Sequence, residues 1–454
     1  MIFLKRRRLV LWILRAYLKR WGKTIFISFF IGVLVFLILL LNLNFILSKF
    51  PIYKSQSIGL SGVYTLENLP PVVLDSISRG LTKIDKEGNV SPDVASSWQI
   101  KDNGKTYIFK LKNDIRFVDG KPLTASLIDY NFADAKVEKP DQSTIVFRLN
   151  DIYSPFLVTV ATHKIFRKGY VGTGPYKIKK ADLNGEFVQS IELYSQENKK
   201  NLKYVFYPTQ EALKLAFTLG EVSEIIDIND TNMRSRDHTD LKNFKNASVE
   251  MTISSSKLVT LFFNTTDPLM SDKKLRKALS YSLPQEFSEG KRTNAPYPKE
   301  YWVNAGFDTY EKDLDYSSSL LKESSSSSSA EMKISIKTLA PYENTARKIA
   351  SSWKKLGISV DIQVVEGIPS DYQAFLGEFL VPKDPDQYML WHSGQSTNIT
   401  HYKNLRIDKL LEDGRKVLDI NERKKIYSDF QKYLLDDQPA AFLFFPYSYK
   451  VKRI

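Results

Sequence analysis

Tyr107, Phe109 and Leu111 alternate with Ile108, Lys110 and Lys112, the period of two that gives a strand one buried face and one wet face. Asp102-Asn103-Gly104-Lys105 precedes this strand as a hairpin turn, because Asn-Gly supplies the positive φ angles that a two-residue connection needs. Upstream, Glu87-Gly88-Asn89 is a turn signal, and Ser91-Pro92-Asp93 followed by Val94, Ala95 and Trp98 predicts a short capped helix with an apolar face. Downstream, Asp119-Gly120-Lys121-Pro122 makes the next turn, and Thr124 is placed to cap a helix running through Asp129 and Tyr130.

Later segments switch period. Residues 210–219 form an amphipathic helical stretch stopped by Gly220, and Ile225, Ile226 and Ile228 follow as a strand. The apolar run 258–263 predicts a strand buried on both faces. Met332, Ile334 and Ile336 alternate, Ala346, Ile349, Ala350, Trp353 and Leu356 fall at helical spacing, Gly357 ends the helix, and Ile358, Val360, Ile362 and Val364 alternate again. That series predicts a right-handed βαβ crossover in a mixed α/β lobe. The serines at 324–329, following those at 317–319, are low in complexity and predict a flexible surface loop.

The N-terminus follows a third pattern. Only Ser28 and Gly32 interrupt an apolar run over 25–41, and with Asn42 and Asn44 tolerated it extends to Leu47, roughly 35 Å of helix and long enough to cross a bilayer. A signal peptide has a shorter apolar core and a small-residue cleavage site, which this run lacks. Before it stand Lys5, Arg6, Arg7, Arg8, Arg15, Lys19, Arg20 and Lys23 without an acidic residue. By the positive-inside rule this end stays in the cytoplasm and the rest of the chain lies outside. Residues 1–18, basic and carrying Trp12 and Tyr17, also suit an interfacial helix on anionic lipid, although topogenic charge alone accounts for them.

These eight charges are more than half of the formal +14, so the basic balance is chiefly a topology signal and argues little for nucleic-acid binding. The 454-residue chain has no cysteine. That excludes thiolate metal sites, cysteine nucleophiles and a lipid-modified cysteine anchor, and a domain this large buries enough apolar surface to do without disulfides. The four histidines, His163, His238, His392 and His401, have no metal-ligand spacing, so neither metal nor cofactor is expected. No Gly-x-Ser-x-Gly elbow, His-Glu-x-x-His pair or dinucleotide fingerprint occurs, and an enzyme is not expected. Gly172-Thr173-Gly174-Pro175-Tyr176 is not a phosphate loop, lacking a third glycine at the right spacing and a following Lys-Ser or Lys-Thr.

The order of turns and strands over 80–131 resembles the opening of the family 5 extracellular solute-binding proteins, the substrate-binding proteins of oligopeptide and dipeptide ABC transporters. Further segments are similar to that family: Gly172-Thr173-Gly174-Pro175-Tyr176 as the crossover back into the first domain, the helix, glycine and strand at 210–228, and Asn264-Thr265-Thr266-Asp267-Pro268 leading to a helix over 272–281. Asp384-Pro385-Asp386, followed by Thr400-His401-Tyr402-Lys403-Asn404 and Ile407-Asp408-Lys409-Leu410-Leu411, resembles the segment where such receptors line the ligand cleft and then start a long helix. The resemblance covers about residue 60 to the C-terminus. It implies a two-lobed α/β fold of the type II periplasmic-binding-protein kind, with a small additional domain on the first lobe, here preceded by one transmembrane helix.

The domains expected on that basis are a cytoplasmic segment 1–23, a span 24–47, a linker 48–59, a first lobe 60–262 with the small domain at about 81–171 and completed by 437–454, and a second lobe 263–436. The region between Asn131 and Gly172 is short for the family, so the small domain is expected to be trimmed, and a C-terminal extension common in the family is expected to be missing. The function implied is capture of a peptide or similar small solute in an interlobe cleft, for import by an ABC permease and its cytoplasmic ATPase. The receptor is expected to be a monomer that breaks no bond and binds no nucleic acid. A degenerate member acting as a cell-surface sensor or interaction module stands as the alternative.

One departure bears on the ligand. Free-peptide receptors of the family carry Gly-Trp-x-x-Asp before Asp-Pro, its Asp pairing with the peptide ammonium. Here Gly377-Glu378-Phe379-Leu380-Val381-Pro382-Lys383 has Glu378 at the Trp position and Val381 at the Asp position. A buried ammonium needs a countercharge. Either another carboxylate such as Glu378 supplies it, or the ligand is not a peptide with a free N-terminus. The ligand-binding residues expected are Tyr64, Thr65, Leu66, Glu67, Asn264, Glu378, Trp391, Ser393 and Asn398, aromatic and amide groups suited to reading peptide backbone. Each has a plainer reading: Trp391 as core, Tyr64 and Thr65 as a continuing strand, Asn264 as a helix cap.

Overall fold

The computed structural model describes residues 15, 19–24, 26–37, 55–195, 197, 199–233, 239–307, 309–324 and 332–454. The chain divides into two compact units, Met1–Ser55 and Gln56–Ile454. In the first, Lys19–Leu37 is a helix long and apolar enough by length and composition to cross a membrane. The basic residues Lys19, Arg20 and Lys23 fall in this helix, so it begins before the expected start of the span at 24. Residues 38–47 of the expected span and nearly all of 1–18 lie outside the described residues.

The second unit opens with a strand, β1 (Ser55–Ser61), where a linker was expected through 59. Two-way hydrogen bonding between Ser57 and Ser223 and parallel pairing of Ile58 and Gly59 with 224 and 225 draw this segment into the sheet. After helix α1 (Pro71–Ile77) comes the small domain, with β2 (Ala95–Lys101), β3 (Thr106–Leu111), β4 (Ala135–Asp141) and β5 (Thr144–Leu149) in the antiparallel order β2-β3-β5-β4. The predicted hairpin turn is present, with positive φ at Asp102, Asn103 and Gly104. Tyr107, Phe109 and Leu111 point into a core with Phe147, Phe156 and Val160 whose members run from Leu81 to Ile165.

Two helices expected in this region do not form. Residues 90–92 pair with 82–84 as a small ladder, and β2 takes over from Ala95 because its backbone pairs along β3. Asp93 does not cap a helix; its carboxylate accepts from Arg79 Nε at 2.9 Å, and Val94 and Ala95 are buried in the core. Thr124 makes no cap bond, its hydroxyl facing Ser126 at 3.0 Å, and only a single 3-10 turn, Ala125–Leu127, follows.

A 12-stranded sheet organises everything else. Its first-lobe strands are β6 (Lys177–Asn184), β7 (Phe187–Ser195), β8 (Lys200–Tyr207), β9 (Glu224–Ile228) and β10 (Ala247–Ile253), together with β1. Helix α2 (Gln210–Leu219) precedes β9, capped by the Thr209 hydroxyl and ended by Gly220 in the left-handed region, as the sequence predicts. The second lobe contributes β11 (Lys257–Phe263), β12 (Gly290–Arg292), β13 (Lys333–Leu339), β14 (Ser359–Val365) and β15 (Ala374–Leu380). The final strand, β16 (Ala440–Arg453), belongs to both halves. Its first part, up to Pro446, pairs with β11 and β12; its later part, from Tyr447, pairs with β9 and β10. The strand order is β6-β7-β8-β1-β9-β16-β11-β15-β13-β14, with β10 and β12 also on β16.

Strand β11 shows why a continuous apolar run is needed. Val259, Leu261 and Phe263 face a core made with Leu275 and Leu279 of α3 (Lys273–Tyr281) and Ile349 and Trp353 of α5 (Glu343–Lys354). Leu258 and Phe262 face the opposite core, with Ile407 and Leu411 of α6 (Leu405–Lys416) and Phe430 and Leu434 of α7 (Ile420–Asp437). Because β11 and the first part of β16 are packed inside these two cores, the lobe limits expected at 262 and 437 move to the 254–256 connection and to about Pro446. The expected strand-helix-strand unit is β13-α5-β14, its strands parallel. Ser317–Ser319, expected in a loop, lie instead in α4 (Leu314–Glu323), where their hydroxyls donate back to backbone carbonyls of the same helix or its cap; residues 325–329 lie outside the described residues.

The Gly172-Thr173-Gly174 crossover has a close-packing reason. A Cβ on Gly172 would stand 2.0 Å from Ile77 O, and one on Gly174 2.6 Å from Ile77 C; both obstacles are backbone at the end of α1. Gly174 N–H donates to Ile77 O at 3.0 Å, so the segment cannot move away without losing that bond. Gly172→Ala is expected to destabilise the fold by about 1–3 kcal/mol, read as a lowered urea midpoint with unchanged slope. A midpoint equal to wild type would show that the crossover tolerates separation from α1.

Candidate ligand cleft

The seam between the small domain and the second lobe is closed by a few direct bonds. Trp302 N–H donates to Glu87 O at 2.9 Å, Ser154 N–H to Arg415 O at 2.7 Å, and Ser154 Oγ–H to Gly414 O at 3.1 Å. Gly88, at φ 86°, lets the first of these contacts form: a Cβ there would meet the Tyr301 ring at 2.6 Å.

Two cavities open along this seam. The larger, about 720 Å³, has Phe132, Tyr153 and Phe156 of the small domain on one side and Tyr388, Glu412 and Arg415 of the second lobe on the other. The smaller, about 440 Å³, lies between 84–87 and a second-lobe wall of Pro298, Tyr301, Val381, Pro382 and Lys383. Val381, where the family's carboxylate would stand, is therefore at the cleft, but its side chain is buried in the second-lobe core.

The segment between the cavities carries two carboxylates, Asp384 buried and Asp386 partly buried. Asp384 accepts from Arg423 Nη2 at 2.7 Å and Nη1 at 3.1 Å, and Arg423 Nε donates to Gly414 O at 2.9 Å. Burial alone would lower the Arg423 guanidinium, but Asp384 outweighs it and holds Arg423 above the ordinary arginine range. Asp386 lies 3.0 Å from Arg415 Nε, an ion pair without hydrogen-bond alignment. Burial raises the Asp386 carboxyl above the usual carboxylate range, against the pull of Arg415. The Arg415 guanidinium also lies over the rings of Tyr388 at 4.3 Å and Tyr153 at 5.2 Å, so one cation touches both walls of the larger cavity. Tyr297 and Tyr301 fix the segment from behind, their hydroxyls donating to the carbonyls of Pro385 and Lys383.

None of the nine sequence-predicted site residues lines either cavity. Tyr64 packs on Phe206, with ring centroids 5.1 Å apart, and donates to Ser61 O; Thr65 bridges to Phe187; Leu66 packs on the first-lobe core; Glu67 is exposed. Asn264 donates to Tyr372 O and accepts from Thr266 N–H, a turn at the end of β11. Trp391 is buried, its indole N–H bonded to Gln387 Oε1 at 2.8 Å. Ser393 is bonded through its N–H and hydroxyl to Asp408, and Asn398 Nδ2 donates to Tyr402 O at 2.8 Å. Glu378 cannot stand in for a carboxylate at 381. With side chains alternating along β15, it shares the face of Ala374 and Leu376 and accepts from Tyr342, whereas Phe379 and Val381 belong to the opposite core. Among the described residues no hydrogen bond joins the 64–67 loop to these second-lobe groups.

The residues that do line the larger cavity had no distinguishing mark in the sequence. Arg415 and Lys416 end a helix, where cations are ordinary. Phe132, Tyr153 and Tyr388 come from three separated segments that only the tertiary fold brings together.

A two-lobed mixed α/β chain, with two cavities along the seam between lobes and a strand shared by both, defines the type II periplasmic-binding-protein class. Residues 89–136 and 126–401 match the family described as bacterial extracellular solute-binding proteins, family 5 Middle, and the chain belongs to that family. It is similar to the oligopeptide-binding protein AppA of Bacillus subtilis, 24% identical over 85% of this chain and 84% of the relative. Among solved structures it is similar to the ABC transporter substrate binding protein CtaP from Listeria monocytogenes, with TM-score 0.74 and 22% identity over 88% of this chain and 94% of that one. It is also similar to NikZ from Campylobacter jejuni, crystallised in complex with Ni(L-His), with TM-score 0.69 and 21% identity over 88% and 94%. The protein is thus a solute-binding protein of the peptide and nickel ABC transporter type. The family consists of substrate-binding proteins rather than enzymes, works with ABC transporters, and is extracellular or periplasmic.

Proposed function

We propose that this protein captures a peptide or similar small solute in the interlobe cleft and hands it to an ABC permease driven by a cytoplasmic ATPase. In this reading the N-terminal helix is a single-pass anchor, with its basic end in the cytoplasm, and the receptor works outside as a monomer. The observation that carries the reading is the cavity of about 720 Å³, whose aromatic and charged walls come from both lobes. A solute held there touches both lobes at once, so binding favours the closed arrangement over an open one.

Native mass spectrometry of the full chain in detergent, before and after mild denaturation, tests it. A heterogeneous set of released peptides supports peptide capture, and a single non-peptide mass moves the ligand class. Tyr388→Ala, which removes one wall of the cavity, is expected to weaken binding of the released ligand roughly tenfold. Unchanged affinity would place the ligand elsewhere.

A second reading, a cell-surface sensor or interaction module without transport, is favoured by the direct Trp302–Glu87 and Ser154–Arg415 bonds across the seam and by Val381 in place of a carboxylate. A protein that releases nothing and ignores a peptide pool would support it.

A further inference from the structure

A second concave site lies within the second lobe, away from the seam. Lys312, Arg347, Lys348, Ser351, Ser352 and Lys355 form its walls around about 420 Å³, and no acidic residue lines it. Two of the cations are neutralised from outside: Arg347 by Glu343 at 2.5 Å, and Lys348 by Glu289 at 2.8 Å. Lys312 and Lys355 have no carboxylate partner among the described residues. Lys312 Nζ donates to Ser352 Oγ at 3.1 Å, and the buried Ser352 hydroxyl passes its own proton to Ser282 O, which fixes the lone pair facing Lys312 and holds the ammonium at the wall. Burial and the Lys355 charge hold Lys312 below the ordinary lysine range.

Helix α5 ends at Lys354 and Lys355, where the backbone dipole welcomes a cation. That explains one positive charge at the helix end, and Lys354, which is exposed and outside the groove, already supplies it. It does not explain Lys312, which comes from a separate segment ahead of α4 and meets Lys355 against electrostatic repulsion.

We propose that this groove binds a phosphate group. The two cations left without a carboxylate match the charge of about −1.5 to −2 that a phosphate monoester carries near neutral pH. Arg347, whose Glu343 partner engages only Nη2, and the Ser351 hydroxyl supply further donors to its oxygens. The phosphate belongs either to a free ion or small phosphorylated solute, or to a lipid headgroup.

Titrating inorganic phosphate calorimetrically into the full chain in phosphatidylcholine nanodiscs, at low and matched ionic strength, tests the site. Saturable 1:1 binding is expected, weakened roughly tenfold by Lys355→Gln and by Lys312→Gln, and less than about twofold by Lys354→Gln. Lys355 is exposed, so its variant keeps the test decisive should the Lys312 variant melt early. A second arm follows co-sedimentation of the same nanodiscs with phosphatidic acid vesicles. Lysine-dependent co-sedimentation assigns the headgroup as the source, and calorimetric binding without it assigns free phosphate. Absence of saturable binding in both arms, or a Lys354→Gln effect equal to that of Lys355→Gln, would overturn the proposal, the latter by showing diffuse charge in place of a site.

Discussion

Asp384→Ala is expected to destabilise the receptor by about 3–5 kcal/mol, because it leaves the Arg423 guanidinium buried without its countercharge. Both side chains of the pair are less than a tenth exposed, so solvent screens neither. Arg423 would keep its bond to Gly414 O and its contacts with the Trp302 and Tyr427 rings, none of which neutralises it. Replacing both partners, Asp384→Ala with Arg423→Met, is expected to recover most of the loss, since an apolar pair no longer buries a lone charge. Chemical unfolding of the two variants followed by tryptophan fluorescence decides it. A single variant within about 1 kcal/mol of wild type, the size of a surface pair, would mean that water reaches Arg423.

Trp391→Ala is expected to cost a similar amount, about 3–5 kcal/mol, the usual range for emptying a large aromatic site in a core. The ring is packed against Phe262 and Phe442, and its removal also leaves Gln387 Oε1 without the indole donor. Solute affinity, measured where both proteins are fully folded, is expected to change far less than stability. The opposite result, a large loss of affinity with a nearly unchanged unfolding curve, would make Trp391 a ligand platform rather than core.

How far the sequence could be read depended on whether a residue's role was local. The hairpin at 102–105 and the Gly220 helix stop are set by neighbours within a few residues, the doubly buried run at 258–263 and the β13-α5-β14 unit show themselves in an unbroken apolar run and a strict periodicity, and each forms as the pattern predicts. Segments whose partners are distant misled it. Val94, Ala95 and Trp98 suit a helix face, yet pairing with β3 makes 95–101 a strand. Ser57 and Gly59 look like linker until Ser223 and Ile225 arrive beside them. The cleft was the least legible part. Asn264, Ser393 and Asn398 have side chains suited to a ligand, but backbone groups nearby already occupy them or, for Ser393, the Asp408 carboxylate. Tyr153, Tyr388 and Arg415 become a site only when the small domain meets α6.

Strand β16 also sets a timetable. Both halves of the large sheet stay incomplete without one segment: β9 has only β1 beside it and β10 no partner strand until 447–453 is available, and β11 has only β15 and β12 no partner strand until 440–446 is. The sheet of the second lobe cannot be completed before residue 446 has emerged from the ribosome, nor that of the first lobe before residue 453. Such pairings, separated by about 200 residues, form slowly. A polypeptide of an extracellular or periplasmic family benefits from that delay, since the strand that locks both lobes is made after, and crosses the membrane after, every strand it joins.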